Sequence, residues 1–356
     1  MPKKLKVGVV GCGEIAQISH IPYLMESPNF DVESICDLSP TVVDRLGEKY
    51  HIPKRFTDFL ELVKDDSIDV VLVTNKNHAG PALVAMENGK HVFVEKPIAL
   101  NIRQADEMVH SAKANKVKLL VAYMKRYDPA YEVMQQMVTD LEKLHLIRVH
   151  EFAGTYTINR DIYDLVKAAD LDPEILRDAN NEVRMDMLED IGKDRLDLLD
   201  AHDIMIHLCI HDINALRGLY GLPEEIVSAD SFDSNFVTGL MQYKNGVHLV
   251  WESGNLVTLN DWDEQITFYG ANRSLEMRFP FPYLKNAATT LNIRENKGKA
   301  AVRNQIVTSY DEAFRREWQH FYECVVTDAE PRTGAVEARN DLAFAVALTK
   351  AAAGLT

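Results

Sequence analysis

Leu5-Lys6-Val7-Gly8-Val9-Val10-Gly11-Cys12-Gly13-Glu14-Ile15-Ala16 is an apolar, β-branched run that ends in glycines and passes directly into a helical pattern. Strands buried on both faces read as continuous apolar runs, so Leu5–Val10 is expected inside a parallel sheet. Gly11 permits a tight strand-to-helix turn, and Gly13 lets a pyrophosphate approach the backbone. Ala16, in place of a third glycine, still allows close helix–strand packing. A helix opening at Glu14 and Ile15 would offer unpaired N–H groups and partial positive charge to phosphates. The GxGxxA spacing is weak alone; the strand before it and the helix after it give it weight.

Outward from this turn, strand and helix patterns alternate at short spacing. Val32–Cys36 forms a second strand, and Ser39-Pro40 opens a helix to about Tyr50, with serine as N-cap and proline at the first helical position. Asp69–Thr74 reads as a central strand, His78–Asn88 as a helix closed by Gly89, and His91–Glu95 as the next strand. Asn101–Asn115 and Lys118–Tyr123 complete another helix–strand pair. Repeated βα units imply a doubly wound parallel sheet, a Rossmann arrangement, over residues 1–124. Residues 125–356 change character. A helix (Pro129–Leu141) precedes a long strand (Ile147–Thr157), and 160–201, rich in Asp, Glu and Leu, reads as a helical insertion or cover. Asp203–Tyr220 reads as one helix. Ile226–Phe232, Phe236–Tyr243, Val247–Gly254, Gln265–Tyr269 and Ser274–Arg278 follow at hairpin-like spacing, with Asn245-Gly246 as a turn signal. Two helices, Asp311–Thr327 and Val336–Ala353, close the chain. The second half is thus expected to be an α/β domain with a large, mostly antiparallel open sheet.

With 39 Lys+Arg against 54 Asp+Glu, the 356-residue chain carries a formal charge of −15. This argues against nucleic-acid and anionic-membrane partners, which call for basic surface. Four scattered cysteines without a CxxC pair suit reduced thiols. The first apolar strand begins too early for a signal peptide, and no apolar run approaches about 18 residues, so a cytoplasmic location is expected.

Two acids and a lysine stand where ligands bind, outside the carboxyl ends of strands. Asp37, after the second strand, can accept hydrogen bonds from a ribose diol and repel a 2′-phosphate. Leu38 and Ser39 supply no arginine for one. NAD is therefore expected in preference to NADP. In His91-Val92-Phe93-Val94-Glu95-Lys96-Pro97 a buried strand ends in a lysine whose desolvation is hard to explain by packing, and Pro97 stops the ladder. The expected cofactor-contacting set is Gly11, Gly13, Glu14, Ile15, Ala16, Asp37, Thr74, Asn75, His78, Glu95 and Lys96.

Taken together, these residues resemble the Gfo/Idh/MocA oxidoreductase family. Lys6–Gly13 is similar to its opening, and Asn77-His78, Gly89-Lys90-His91-Val92 and Glu95-Lys96-Pro97 to its most specific signature. Arg126-Tyr127-Asp128-Pro129 resembles its entry to the second domain, and His211-Asp212-Ile213-Asn214 its catalytic helix. The resemblance implies a commonly cis Lys-Pro peptide and hydride transfer in a cleft between domains. It also implies an outer sheet face available for a homodimer or homotetramer. Oxidation of a secondary alcohol needs a base for the hydroxyl proton, which His211 would supply, while the Lys96 ammonium stabilises alkoxide charge. A sugar or polyol substrate is expected, bordered by Tyr123, Arg126 and Tyr156.

One position departs from the family's pattern. Inositol-type members have an aspartate four residues before the histidine; here it is His207, which i,i+4 spacing would put on the helical face of His211. His207 would bind a hydroxyl or relay the proton. His207-x3-His211 also fits two metal ligands, with His202 or Asp203 a turn earlier, but no third ligand is marked and no metal is expected. The altered position keeps open a glycoside-cleaving enzyme that uses NAD transiently, by oxidation and elimination. A non-catalytic sugar or NAD sensor is a further reading, opposed by the presence of both Lys96 and His211.

Overall fold

The structure, a computed structural model, describes residues 3–155 and 157–355; Tyr156, expected at the substrate, lies outside the described residues. The chain forms two compact units, one of residues 1–122, 163–190 and 314–342 and the other of 123–162, 191–313 and 343–356. Segments 163–190 and 314–342, which the boundary at 124/125 assigns to the second domain, therefore pack with the first.

The first unit is built on six parallel strands: β1 (Leu5–Val10), β2 (Phe30–Cys36), β3 (Lys54–Phe56), β4 (Val70–Val73), β5 (His91–Glu95) and β6 (Leu119–Ala122), in the order β3-β2-β1-β4-β5-β6. Order reversal beside β1 creates the crevice at the strands' carboxyl ends that defines a doubly wound nucleotide fold. Val70–Val73 is buried at every position, as a strand covered on both faces must be. Ser39 caps the helix Pro40–Lys49 by accepting from Val42 N, with Pro40 in the first turn, as expected. The helix after the glycine turn runs over 14–26 but opens into a π-helix at Ala16–His20. Such bulges concentrate at functional sites.

The second unit holds an eight-stranded sheet: β7 (Leu144–Gly154), β8 (Glu225–Phe232), β9 (Phe236–Gln242), β10 (His248–Leu256), β11 (Trp262–Gly270), β12 (Arg273–Arg278), β13 (Thr290–Lys297) and β14 (Ala300–Val307). Their order is β14-β13-β12-β11-β7-β10-β9-β8, antiparallel throughout except for β7 with β10. The mostly antiparallel sheet is as expected; β13 and β14 are additions. β14 buries no residue, so its edge-strand sequence carries no hydrophobic alternation.

Asp203–Tyr220 is not one helix. It divides into Leu199–His207 and Ile210–Tyr220, because Leu208 N and Cys209 N both donate to the Ile204 carbonyl and His211 N restarts on Leu208. Leu208 and Cys209, at the break, are neither proline nor glycine. Its break coincides with the complete burial of Cys209 and Asp212, an imposition of packing. No helix among the described residues is long and apolar enough to cross a membrane.

Candidate active site

In the first unit, Gly11 has φ +89°, and a Cβ there would lie 2.5 Å from Asn75 N, so only glycine fits between β1 and the exit of β4. Thr74 closes the same junction, its N–H on the Val10 carbonyl and its hydroxyl on Gly11 O. A Cβ on Gly13 would meet nothing within 4 Å, leaving its backbone open to a close-approaching phosphate. Ala16 is buried, as its packing role requires. Asp37 accepts from Cys12 N (2.8 Å) and Ser39 N (3.0 Å), which aims the carboxylate across the turn. A carboxylate offers about four acceptor positions, so two remain for a ribose diol. The residues present thus fit a bound dinucleotide.

Lys96 follows β5, and the Lys96–Pro97 peptide is cis. Its neighbour Glu95 is held by a chain of donors that sequence reading missed. Trp318 Nε1–H donates to His20 Nδ1 at 3.1 Å; an indole can only donate, so the imidazole proton sits on Nε2 and is given to Glu95 Oε1 at 2.8 Å. Glu95 Oε2 in turn accepts from Lys96 N at 3.1 Å. Burial pushes the Glu95 carboxyl up, but the His20 hydrogen bond and charge, with Lys96 and His78, outweigh it and hold it below its ordinary range. Trp318 stacks on Phe93 of β5 at 4.0 Å, locking the chain's far end. Beneath it, burial and then the Glu95 charge push the Glu317 carboxyl well up. His78 is buried and bonds through Nδ1 to the Pro97 carbonyl (2.6 Å), bracing the loop that carries Lys96.

In the second unit, Tyr123 and His211 face each other edge to face, with centroids 6.3 Å apart. His207 ends one helix and His211 starts the next, so the shared helical face expected from i,i+4 spacing does not form. His207 Nδ1 lies instead 3.0 Å from Asp203 Oδ1. His202 turns into the core, its Nδ1 3.3 Å from the Thr349 hydroxyl, and burial pushes its imidazole down to about 3. Arg126, expected at the substrate, is buried with its guanidinium on Asn214 O and Oδ1 (3.3 Å each). A Cβ on Gly218 would strike that guanidinium at 2.6 Å. Arg126 braces the helix of His211.

Next to His211, Asp212 enters a buried cluster with Glu151 and Glu264, whose ligand-capable oxygens lie within 4.8 Å of one another. Glu151 and Glu264 are direct cross-strand partners on β7 and β11, a like-charge pairing that needs compensation. Lys125 provides it: its ammonium is 2.8 Å from Asp212 Oδ1, pairs with Glu264, and stands 4.3 Å from the Phe279 ring centroid. Burial, then the charge of Asp212, pushes the Glu151 carboxyl up to about 8 against an ordinary 4.5. A buried acid whose pKa rises on folding contributes its stability below about pH 4.5, and that stability is lost as pH rises through about 8. Glu151→Gln should therefore raise the melting temperature at pH 8.5 by several degrees and change it little at pH 5, as calorimetry across that window would read.

A Rossmann sheet with an open glycine turn, an acid after the second strand and a braced lysine after the fifth forms an arrangement that fits a dinucleotide. Residues 5–123 match the family described as "Oxidoreductase family, NAD-binding Rossmann fold". An inositol 2-dehydrogenase/D-chiro-inositol 3-dehydrogenase of Lactiplantibacillus plantarum is 34% identical over 140 residues, covering 38% of this chain and 40% of that protein. A myo-inositol 2-dehydrogenase of Thermotoga maritima is 28% identical over 149 residues, 41% of this chain and 44% of that protein. Both matches span less than half of the relative's length. An oxidoreductase from Desulfitobacterium hafniense described as NADPH-dependent superposes with a TM-score of 0.80 at 17% identity, covering 100% of this chain and 97% of that one. KijD10, a 3-ketoreductase from Actinomadura kijaniata in complex with NADP and TDP-benzene, gives 0.75 at 18%, covering 98% of each chain. At these identities the structures show a common fold.

Proposed function

We propose that this chain oxidises a secondary hydroxyl of a sugar, polyol or glycoside, with NAD as the hydride acceptor. The observation that carries this reading is Lys96, an ammonium just past the end of a buried strand and fixed from behind by Glu95, His20 and Trp318. Glu95 is turned to His20 and to the Lys96 backbone, which holds the turn that carries the ammonium. The inositol dehydrogenases among the relatives support the substrate class. NAD over NADP rests on Asp37, although the two solved structures are named for the phosphorylated form.

In this reading the nicotinamide, when bound, accepts the hydride. His211 removes the hydroxyl proton and Lys96 stabilises the alkoxide as charge develops. Tyr123 packs edge-on against His211 and orients its ring. Asp203, 3.0 Å from His207 Nδ1, supplies a negative charge beside it.

The purified protein, given NAD and a panel of inositols, aldoses, polyols and glycosides, should form NADH in step with ketone. Release of a glycoside's substituent without NADH would instead establish the redox-neutral elimination. NAD binding without turnover of any compound would establish a sensor.

A further inference from the structure

Residues 163–190 match no nucleotide-binding motif, yet they pack with the first unit along the carboxyl edge of its sheet. The Gln17 amide grips Val166 on both sides, donating to its carbonyl (3.0 Å) and accepting from its N–H (2.8 Å), and donates also to Cys12 O in the glycine turn (2.7 Å). Four residues on, Asp170 Oδ2 accepts from Thr41 N at 2.8 Å and Oδ1 accepts from the Ser39 hydroxyl. The strap thus crosses from the β1 turn to the helix after β2, over the place where a Rossmann sheet receives the adenosine ribose. Its continuation is anchored at the β5 exit, where Asp190 accepts from Ile102 N at 2.7 Å.

The donors that Asp170 takes are the ones a 2′-phosphate would need. Thr41 N lies in the first turn of a ten-residue helix, where orphan N–H groups bind anions. We propose that Asp170 is a specificity-determining residue: it holds the position of a 2′-phosphate and, with Asp37, restricts the site to NAD. This inference rests on the dinucleotide reading above. A 2′-phosphate would meet two carboxylates, no arginine between 37 and 41, and donors already engaged. A free ribose diol meets no such repulsion and donates to Asp37. The hydrogen bonds from Ser39 and Thr41 hold the Asp170 carboxyl down at about 2, so it is ionised wherever the protein is folded.

The test is direct titration of the full chain with NADH and NADPH, followed by nicotinamide fluorescence, with no substrate present. The wild type should bind NADH at least about a hundredfold tighter than NADPH, because like-charge juxtaposition costs several kcal/mol. Asp170→Asn, which keeps the shape and an acceptor for Thr41 N, should tighten NADPH by about tenfold and leave NADH within about threefold. Asp170→Ser gives a second variant, and thermal melts report whether either disturbs the fold. NADPH affinity unchanged in both variants, beside a wild type that prefers NADH, would overturn the role of Asp170 and leave the dinucleotide reading standing. A wild type that binds NADPH as tightly as NADH would overturn the NAD preference itself. Binding of neither would overturn both.

Discussion

Lys96→Met should cut kcat by about 10²–10³-fold while leaving NADH affinity within a factor of three. Methionine keeps the length and apolar stem of lysine and removes only the ammonium. The loss then reports charge stabilisation of the developing alkoxide, which exists in the transition state and hardly in the ground state. The brace behind Lys96 sharpens this expectation. Glu95 is engaged by His20 Nε2 and by the Lys96 N–H, so neither partner depends on the Lys96 side chain for its place. A change in NADH affinity of tenfold or more would mean that the ammonium serves binding of the dinucleotide. Unchanged turnover would remove Lys96 from the chemistry.

That site was partly legible from sequence, for physical reasons that differ residue by residue. Leu5–Val10 and His91–Glu95 could be read to the residue, since a strand buried on both faces is a continuous apolar run with hard stops at its ends. Asp37, Gly11 and Lys96 could be placed because their positions relative to strand ends are fixed by the fold. His20 and Trp318 could not: the links to Glu95 span 75 and 298 residues, and no local period records them. The helix break at Leu208–Cys209 left no mark either, since neither residue is a breaker.

The buried acids did leave a trace. Successive side chains of a strand alternate between faces, so Glu151 shares a face with Ile147, Val149 and Ala153 of β7, and Glu264 with Ile266 and Phe268 of β11. An acid on the core-facing register of two strands announces a buried charge that must find a cation. Nothing in the spacing says that the cation is Lys125. That residue sits in a short 3₁₀ turn (Met124–Tyr127) between β6 and the helix Pro129–Thr139.

Lys125→Met should accordingly lower the stability of the second unit by about 3–5 kcal/mol, the usual cost of removing one partner from a buried charged cluster. The ammonium is nearly enclosed, and without it Asp212 and Glu264 keep their charges in a low-dielectric interior. Glu264 retains the Trp262 indole donor at 2.9 Å, whereas Lys125 is the cation partner of Asp212. The melting temperature should fall by roughly 10 °C near neutral pH, as calorimetry would read. Asp212→Asn in the same chain should restore part of the loss, because it removes the charge left unpaired. Asp212 adjoins His211 at the restart of the broken helix, so the same substitution should also reduce kcat at temperatures where the protein remains folded. A variant that melts like the wild type at neutral pH would show that the cluster is already protonated to neutrality without its lysine. The helix of His211 would then be held by Arg126 on Asn214, by the Tyr131 hydroxyl on Ala215 O and by Gln135 on Gly218 O.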